Sequence, residues 1–196
     1  EKDPSLIDIM LNPFALTPGF KGVDQPDGMQ PQFDKVLNSW VAPFMMAIIN
    51  TKNIHRSNFL LGHQYGKEFA YDEMLLTGEG EQGEAIAKAV AEDTSMANDT
   101  TQPGEGPTKE QRENGSYDLL FAGTAEDGQQ LMVNVRGDMD PGYGSTSKMI
   151  TESAVCLLKN PATVAGGIWT PAPAMGSLLI ERLQNNAGLT FELEQH

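Results

Sequence analysis

Groups that hold metals are scarce in this chain: it has one cysteine and three histidines, His55, His63 and His196, scattered along 196 residues. Zinc needs such groups clustered, so no zinc site is expected, and each histidine reads as structural or surface. The lone Cys156 excludes an intramolecular disulfide framework. Its neighbours Ala154, Val155, Leu157 and Leu158 predict a buried thiol in a reducing compartment. Basic residues are also few, 13 Lys and Arg against 27 Asp and Glu, for a formal charge of -14. Phosphate backbones and anionic lipid surfaces would be repelled at long range, which excludes nucleic acid as a partner. No apolar run approaches the ~20 residues that span a bilayer. The N-terminus lacks the basic-then-apolar order of a secretory signal, so a cytoplasmic protein is expected. The chain begins Glu1-Lys2-Asp3-Pro4 without methionine, and a chain cut from something longer is expected.

What remains is 39% hydrophobic, enough for one real core with an extended arm. Residues 1–31 mix five prolines with short apolar clusters such as Leu6, Ile7, Ile9, Met10 and Leu11, and read as one or two helical turns followed by an arm or connector. From Phe33 to about Asn53, apolar residues recur at three and four, which predicts a buried helix, kinked or restarted at Pro43. Phe69–Thr77 reads as a strand and Glu84–Asp93 as a small-residue helix. Between Asp72 and Glu113 there are eleven acids against three bases. That imbalance, with lost periodicity over 94–108, predicts a solvated, mobile acidic loop. Tyr117–Gly123 and Gln130–Arg136 flank Glu126-Asp127-Gly128 and predict a hairpin. Helical spacing follows over Ser147–Lys159, then a Gly/Pro loop over 166–175, a helix over Ser177–Asn185 and a short strand over Leu189–Glu194.

The stretch Arg136–Met149 (Arg-Gly-Asp-Met-Asp-Pro-Gly-Tyr-Gly-Ser-Thr-Ser-Lys-Met) is the best candidate site. It is too glycine-rich for ordinary packing and runs from a strand into a helix, as ligand-holding loops do. Asp138 and Asp140 resemble the start of a calcium loop, but the next alternate position is Gly142 and no glutamate follows at the required distance. They read as turn chemistry, with carboxylates accepting local amides and Pro141-Gly142 fixing the bend. Ser145, Thr146 and Lys148 stand at a helix start where free amides favour an anion; capping alone also explains either hydroxyl. Tyr143, between two glycines, is the best-placed proton donor. At the exit of the long helix, Arg56 and Asn58 offer donors for a carboxylate or carbonyl oxygen. Gly78-Glu79-Gly80-Glu81-Gln82-Gly83 spells the dinucleotide fingerprint, but its acids would crowd a pyrophosphate and no parallel-sheet pattern surrounds it. It reads as an acidic turn.

Several of these stretches occur together in order: Trp40–Thr51, Arg56-Ser57-Asn58, Pro103-Gly104-Glu105-Gly106-Pro107, Gly137–Thr146, and Gly166-Gly167-Ile168-Trp169-Thr170-Pro171-Ala172. With them, residues 12–193 resemble the C-terminal half of saccharopine dehydrogenase-like oxidoreductases, in the group that includes the trans-acting enoyl reductases. The resemblance implies an enzyme using NADP or NAD, whose nucleotide sits mainly on an N-terminal Rossmann domain absent from this chain. It also implies that residues 32–196 form the second domain, an α+β unit with a mainly antiparallel sheet backed by helices, completing the substrate pocket and carrying subunit contacts.

The expected function is therefore the substrate-binding and subunit-contact domain of an oxidoreductase that transfers hydride to a small-molecule enoyl or keto substrate, inactive as a fragment and a homodimer in the intact enzyme. Tyr143 and Lys148 are the expected catalytic residues, and Arg56, Asn58, Ser145 and Thr146 the substrate-binding ones. The alternative is a homodimerisation or binding module on which no chemistry occurs.

Overall fold

The structure is a computed structural model describing residues 5–95, 101–102, 104–160 and 164–194. The chain divides into two compact units, with the boundary between Asp99 and Thr100. Among the described residues are six helices and six strands, the strands forming two three-stranded antiparallel sheets. That is the expected α+β class, with mainly antiparallel sheet and helices.

The first unit opens with α1 (Ser5–Leu11), the short helix expected there. Strands β1 (Gln32–Asp34) and β2 (Ser39–Pro43) pair, as do β2 and β3 (Met74–Gly78), with a register shift between Trp40 and Val41. Helix α2 (Ala47–Leu60) lies between β2 and β3, and α3 (Gly80–Glu92) follows β3. The helix expected over residues 33–53 is thus a hairpin followed by a helix. Asp34 makes the difference: its Oδ1 accepts the amides of Val36 and Leu37, and Asn38 turns the chain with φ 49°. Pro43, which lacks an amide hydrogen, ends β2 where it would have broken a helix. Helix α3 begins four residues earlier than expected, at Gly80. A β-carbon at Gly83 would lie 2.0 Å from the Gly78 carbonyl oxygen, so only glycine lets the helix turn this close to the strand.

Residues 12–31 pack within the same unit. Phe14 is buried with its ring centroid 4.5 Å from that of His55 and 5.9 Å from Phe20. Gln25 faces His55 Nε2 with its Oε1 at 3.1 Å, and the same oxygen accepts the Tyr71 amide at 2.9 Å. Burial among these rings lowers the His55 pKa. His55 is structural, as expected. His63, with φ 64°, stacks against Phe20 at 4.2 Å.

The second unit contains α4 (Lys109–Asn114), β4 (Tyr117–Thr124), β5 (Gln130–Gly137), α5 (Gly144–Lys159), α6 (Pro171–Asn186) and β6 (Leu189–Leu193). Its sheet runs β4-β5-β6 with unbroken registers, Leu119 opposite Val135 and Val135 opposite Phe191. The expected hairpin, the helix after it and the last strand are all present. The core joins one sheet face to the two long helices: Val135 and Leu189 meet Cys156 from α5 and Ala174, Met175, Leu179 and Leu183 from α6. Each buried leucine stabilises the unit by about 2 kcal/mol. The Gly/Pro loop expected over 166–175 is already helix from Pro171, because proline suits the first helical turn. Gly176, at φ 50° and ψ -131°, breaks α6 into two stretches. The acidic loop expected over 94–108 falls largely on residues 96–100 and 103, outside the described residues. The described part closes with a capping box, in which Thr108 Oγ1 accepts the Gln111 amide and Gln111 Oε1 accepts the Thr108 amide.

Candidate functional site

The loop between β5 and α5 is organised by one carboxylate. Asp140 Oδ1 accepts the amides of Gly142 and Tyr143, each at 3.0 Å, and its Oδ2 accepts the Gly144 amide at 2.6 Å. Its carbonyl accepts the Ser145 amide, and its own amide donates to the Arg112 carbonyl at 3.0 Å. These amides belong to the start of α5, where negative charge is favoured by the helix dipole. A β-carbon on Gly144 would lie 2.8 Å from Asp140 Oδ2, so glycine is required for the approach. Desolvation raises the Asp140 pKa, but the three amides and the nearby Arg112 outweigh it and hold the carboxyl below its ordinary range. The helix start is therefore filled by the chain's own anion. This bears out turn chemistry for Asp140 and corrects the expectation of free amides and of capping by Ser145 or Thr146.

The remaining polar groups of the stretch separate into buried and exposed sets. Ser145 is fully buried, its Oγ 2.8 Å from the Tyr117 hydroxyl, and Thr146 Oγ1 donates to the Pro141 carbonyl. Lys148 Nζ pairs with Asp138 Oδ1 at 2.7 Å and lines a shallow recess of about 250 Å³ with Ser147, Thr151, Glu152 and Asn186. Tyr143, by contrast, is 58% exposed. It borders a larger recess of about 480 Å³, shared with Arg112 and the loop Gly104-Glu105-Gly106-Pro107. A β-carbon at Gly106 would lie 3.3 Å from Tyr143 Cζ, so the ring lies close against that loop. Arg112 Nη1 donates to the Pro107 carbonyl at 2.7 Å, tying α4 to the same loop.

Arg56 and Asn58 belong to the first unit. Arg56 Nη1 donates to the Leu16 carbonyl at 3.0 Å, and its guanidinium carbon sits 5.9 Å from the Phe59 ring centroid. Asn58 is buried; its Nδ2 donates to the Gly66 carbonyl at 2.8 Å and its Oδ1 accepts the Tyr65 amide at 3.0 Å. That side chain holds the turn after α2. Of the six residues expected to form a site, only Tyr143 reaches the larger recess.

Sequence reasoning passed over Arg112, although Thr108-x-x-Gln111 marks a helix start that fixes its position. It named Gly104–Pro107 only as a resemblance. Among the described residues no group of three or more His, Cys, Asp or Glu gathers as a metal site would require, and no helix is long and apolar enough to cross a membrane.

No protein-family model and no solved structure matches the chain. Curated proteins do. A provisionally named trans-acting enoyl reductase of Mycobacterium tuberculosis is 29% identical over 92% of this chain and 50% of its own length. Trans-acting enoyl reductases of Mycobacterium ulcerans and Mycobacterium bovis are 28% and 27% identical over the same shares. The chain spans about half the length of the curated relatives it matches, and along nearly all of its own length it is similar to proteins named as enoyl reductases.

Proposed function

We propose that this chain is the substrate-side half of a saccharopine dehydrogenase-like oxidoreductase that uses NAD or NADP to reduce an enoyl or keto substrate. The observation that carries this reading is the similarity to trans-acting enoyl reductases along 92% of the chain. The recess at Tyr143 supports it. A phenol backed by a pinned loop, beside a guanidinium, offers an acid and a donor for a substrate oxygen. Reduction of a conjugated double bond adds a hydride at one carbon and a proton at the next. Tyr143 supplies that proton, and Arg112 orients the carbonyl.

The residues present do not fit the nucleotide. The fingerprint-like Gly78–Gly83 is a packing turn, with no space between Gly83 and the Gly78 carbonyl and with Glu79 and Glu81 at the helix start. Whatever binds NAD or NADP lies outside these residues, which accords with relatives twice as long. In this reading the intact protein is cytoplasmic.

Tyr143→Phe in the full-length protein tests the assignment. NADPH consumption with an enoyl thioester should fall about 100-fold, the usual contribution of a positioned general acid. The exposed phenol makes no described hydrogen bond, so the melting temperature should stay put. A variant that keeps the wild-type rate would remove Tyr143 from the chemistry.

A further inference from the structure

Strand β4 is the longest unguarded edge in the second unit. Its eight residues, Tyr-Asp-Leu-Leu-Phe-Ala-Gly-Thr, pair only with β5, in a register without a bulge. Natural edge strands are usually blunted by lysine, proline, a bulge or a short length. None of these protects β4. Its one charge, Asp118, is already paired with Arg136 at 2.8 Å.

The sheet face beside this edge is apolar and open. Leu119, Phe121 and Leu131 share the face of Val133 and Val135, where the core of this unit lies. Yet Leu119 is 47% exposed, Phe121 43% and Leu131 59%. Leu131 stands opposite Gly123, which has no side chain to shield it.

We infer that the β4 edge pairs antiparallel with β4 of a second copy of this chain, joining two three-stranded sheets into one of six strands. A two-fold axis at Leu120 keeps the apolar faces of both copies on one side. Leu119 of each copy then falls opposite Phe121 of the other, Leu120 opposite Leu120, and Tyr117 opposite Gly123. Apolar cross-strand pairs of this kind stabilise sheets. Asp118 falls opposite Ala122, so no like charges meet, although the chain as a whole is strongly acidic. The exposed parts of these side chains and the paired edge amount to on the order of 1,000 Å² over both copies, at the low end of specific interfaces. A reversible dimer in about the micromolar range follows. This pairing does not depend on the enzymatic reading.

Sedimentation velocity on the 196-residue chain, from about 1 to 100 µM, should show monomer passing to dimer. Phe121→Lys should shift that midpoint upward at least tenfold, with an unchanged circular dichroism spectrum. A folded variant that still dimerises normally would overturn the assignment, as would a wild-type chain monomeric throughout. Because Cys156 is buried, an introduced thiol reports register without replacing more than a side chain. Leu120→Cys should give an oxidised covalent dimer, and Ala122→Cys should not. Equal cross-linking at both positions would overturn the two-fold at Leu120.

Discussion

The turn after α2 and the turn before α5 were both read as places where polar side chains wait for a ligand, and they are built in opposite ways. At the first, the buried Asn58 amide turns inward and satisfies the backbone of the following loop in both directions, as donor to Gly66 and acceptor from Tyr65. At the second, Asp140 takes the backbone amides, and the neighbouring Tyr143 is left facing out. One polar group does the structural task in each case. What differs is whether the residues beside it are consumed with it. Around Asn58, rings and carbonyls engage His55, His63 and Arg56; around Asp140 the recess at Tyr143 stays open.

Breaking the first turn should have the largest effect. Asn58→Ala strands the Tyr65 amide and the Gly66 carbonyl and should destabilise the first unit by about 2–3 kcal/mol. The two tryptophans allow the units to be followed separately, since Trp40 lies in the first and Trp169 in the second. In a Trp169→Phe background the Trp40 denaturation midpoint should fall. In the reciprocal Trp40→Phe background the Trp169 midpoint should hardly move. Equal shifts would mean that Asn58 is not a local clamp.

Acid should separate the units next. His55 is held neutral by burial, so its folded pKa lies below the unfolded value of about 6.5. Between those two values the unfolded chain binds more protons. The first unit is therefore at full strength above about pH 6.5 and weakens as pH falls through the lowered pKa. Asp72 acts in the opposite sense at lower pH, because burial and its neighbours Asp34 and Glu73 raise its pKa. Asp140 has a lowered pKa, so its contribution to the second unit persists down to the carboxylate range and is lost below it. From pH 7.5 to 5.5 the Trp40 midpoint should drop while the Trp169 midpoint stays level. A flat Trp40 profile would contradict the burial argument.

The smallest effect belongs to Lys148. Its pair with Asp138 is partly exposed, and such pairs contribute about 0.2–1 kcal/mol. Lys148→Ala should change second-unit stability by less than 1 kcal/mol. If it also leaves the full-length rate intact while Tyr143→Phe lowers it, the larger recess rather than the smaller one is where substrate sits.

How much of this was legible beforehand follows from the range of the forces involved. The β4–β5 hairpin was readable because Asp-Gly fixes a turn locally and the flanking alternation agrees with it. The helix after Tyr143 was readable from its spacing. Residues 33–53 misled because apolar residues three and four apart also arise when two short strands are joined by a tight turn, and Asp34 decides between the two through hydrogen bonds that periodicity does not register. The start of α6 was hidden by treating proline as a breaker, when at the first turn it is a starter. The site was half readable. Tyr143 was singled out correctly as the exposed phenol, but its neighbour Arg112 comes from a helix some thirty positions earlier, and no local pattern links them. Ser145 and Asn58 looked available because sequence does not show which hydroxyls and amides the fold has already engaged.

Cys156 carries a last consequence. As the only thiol, with no exposed surface at the seam between α5 and α6, it is a built-in clock. A thiol reagent can reach it only when the helices part, so its rate of labelling counts the openings of the second unit one molecule at a time, without any probe being added.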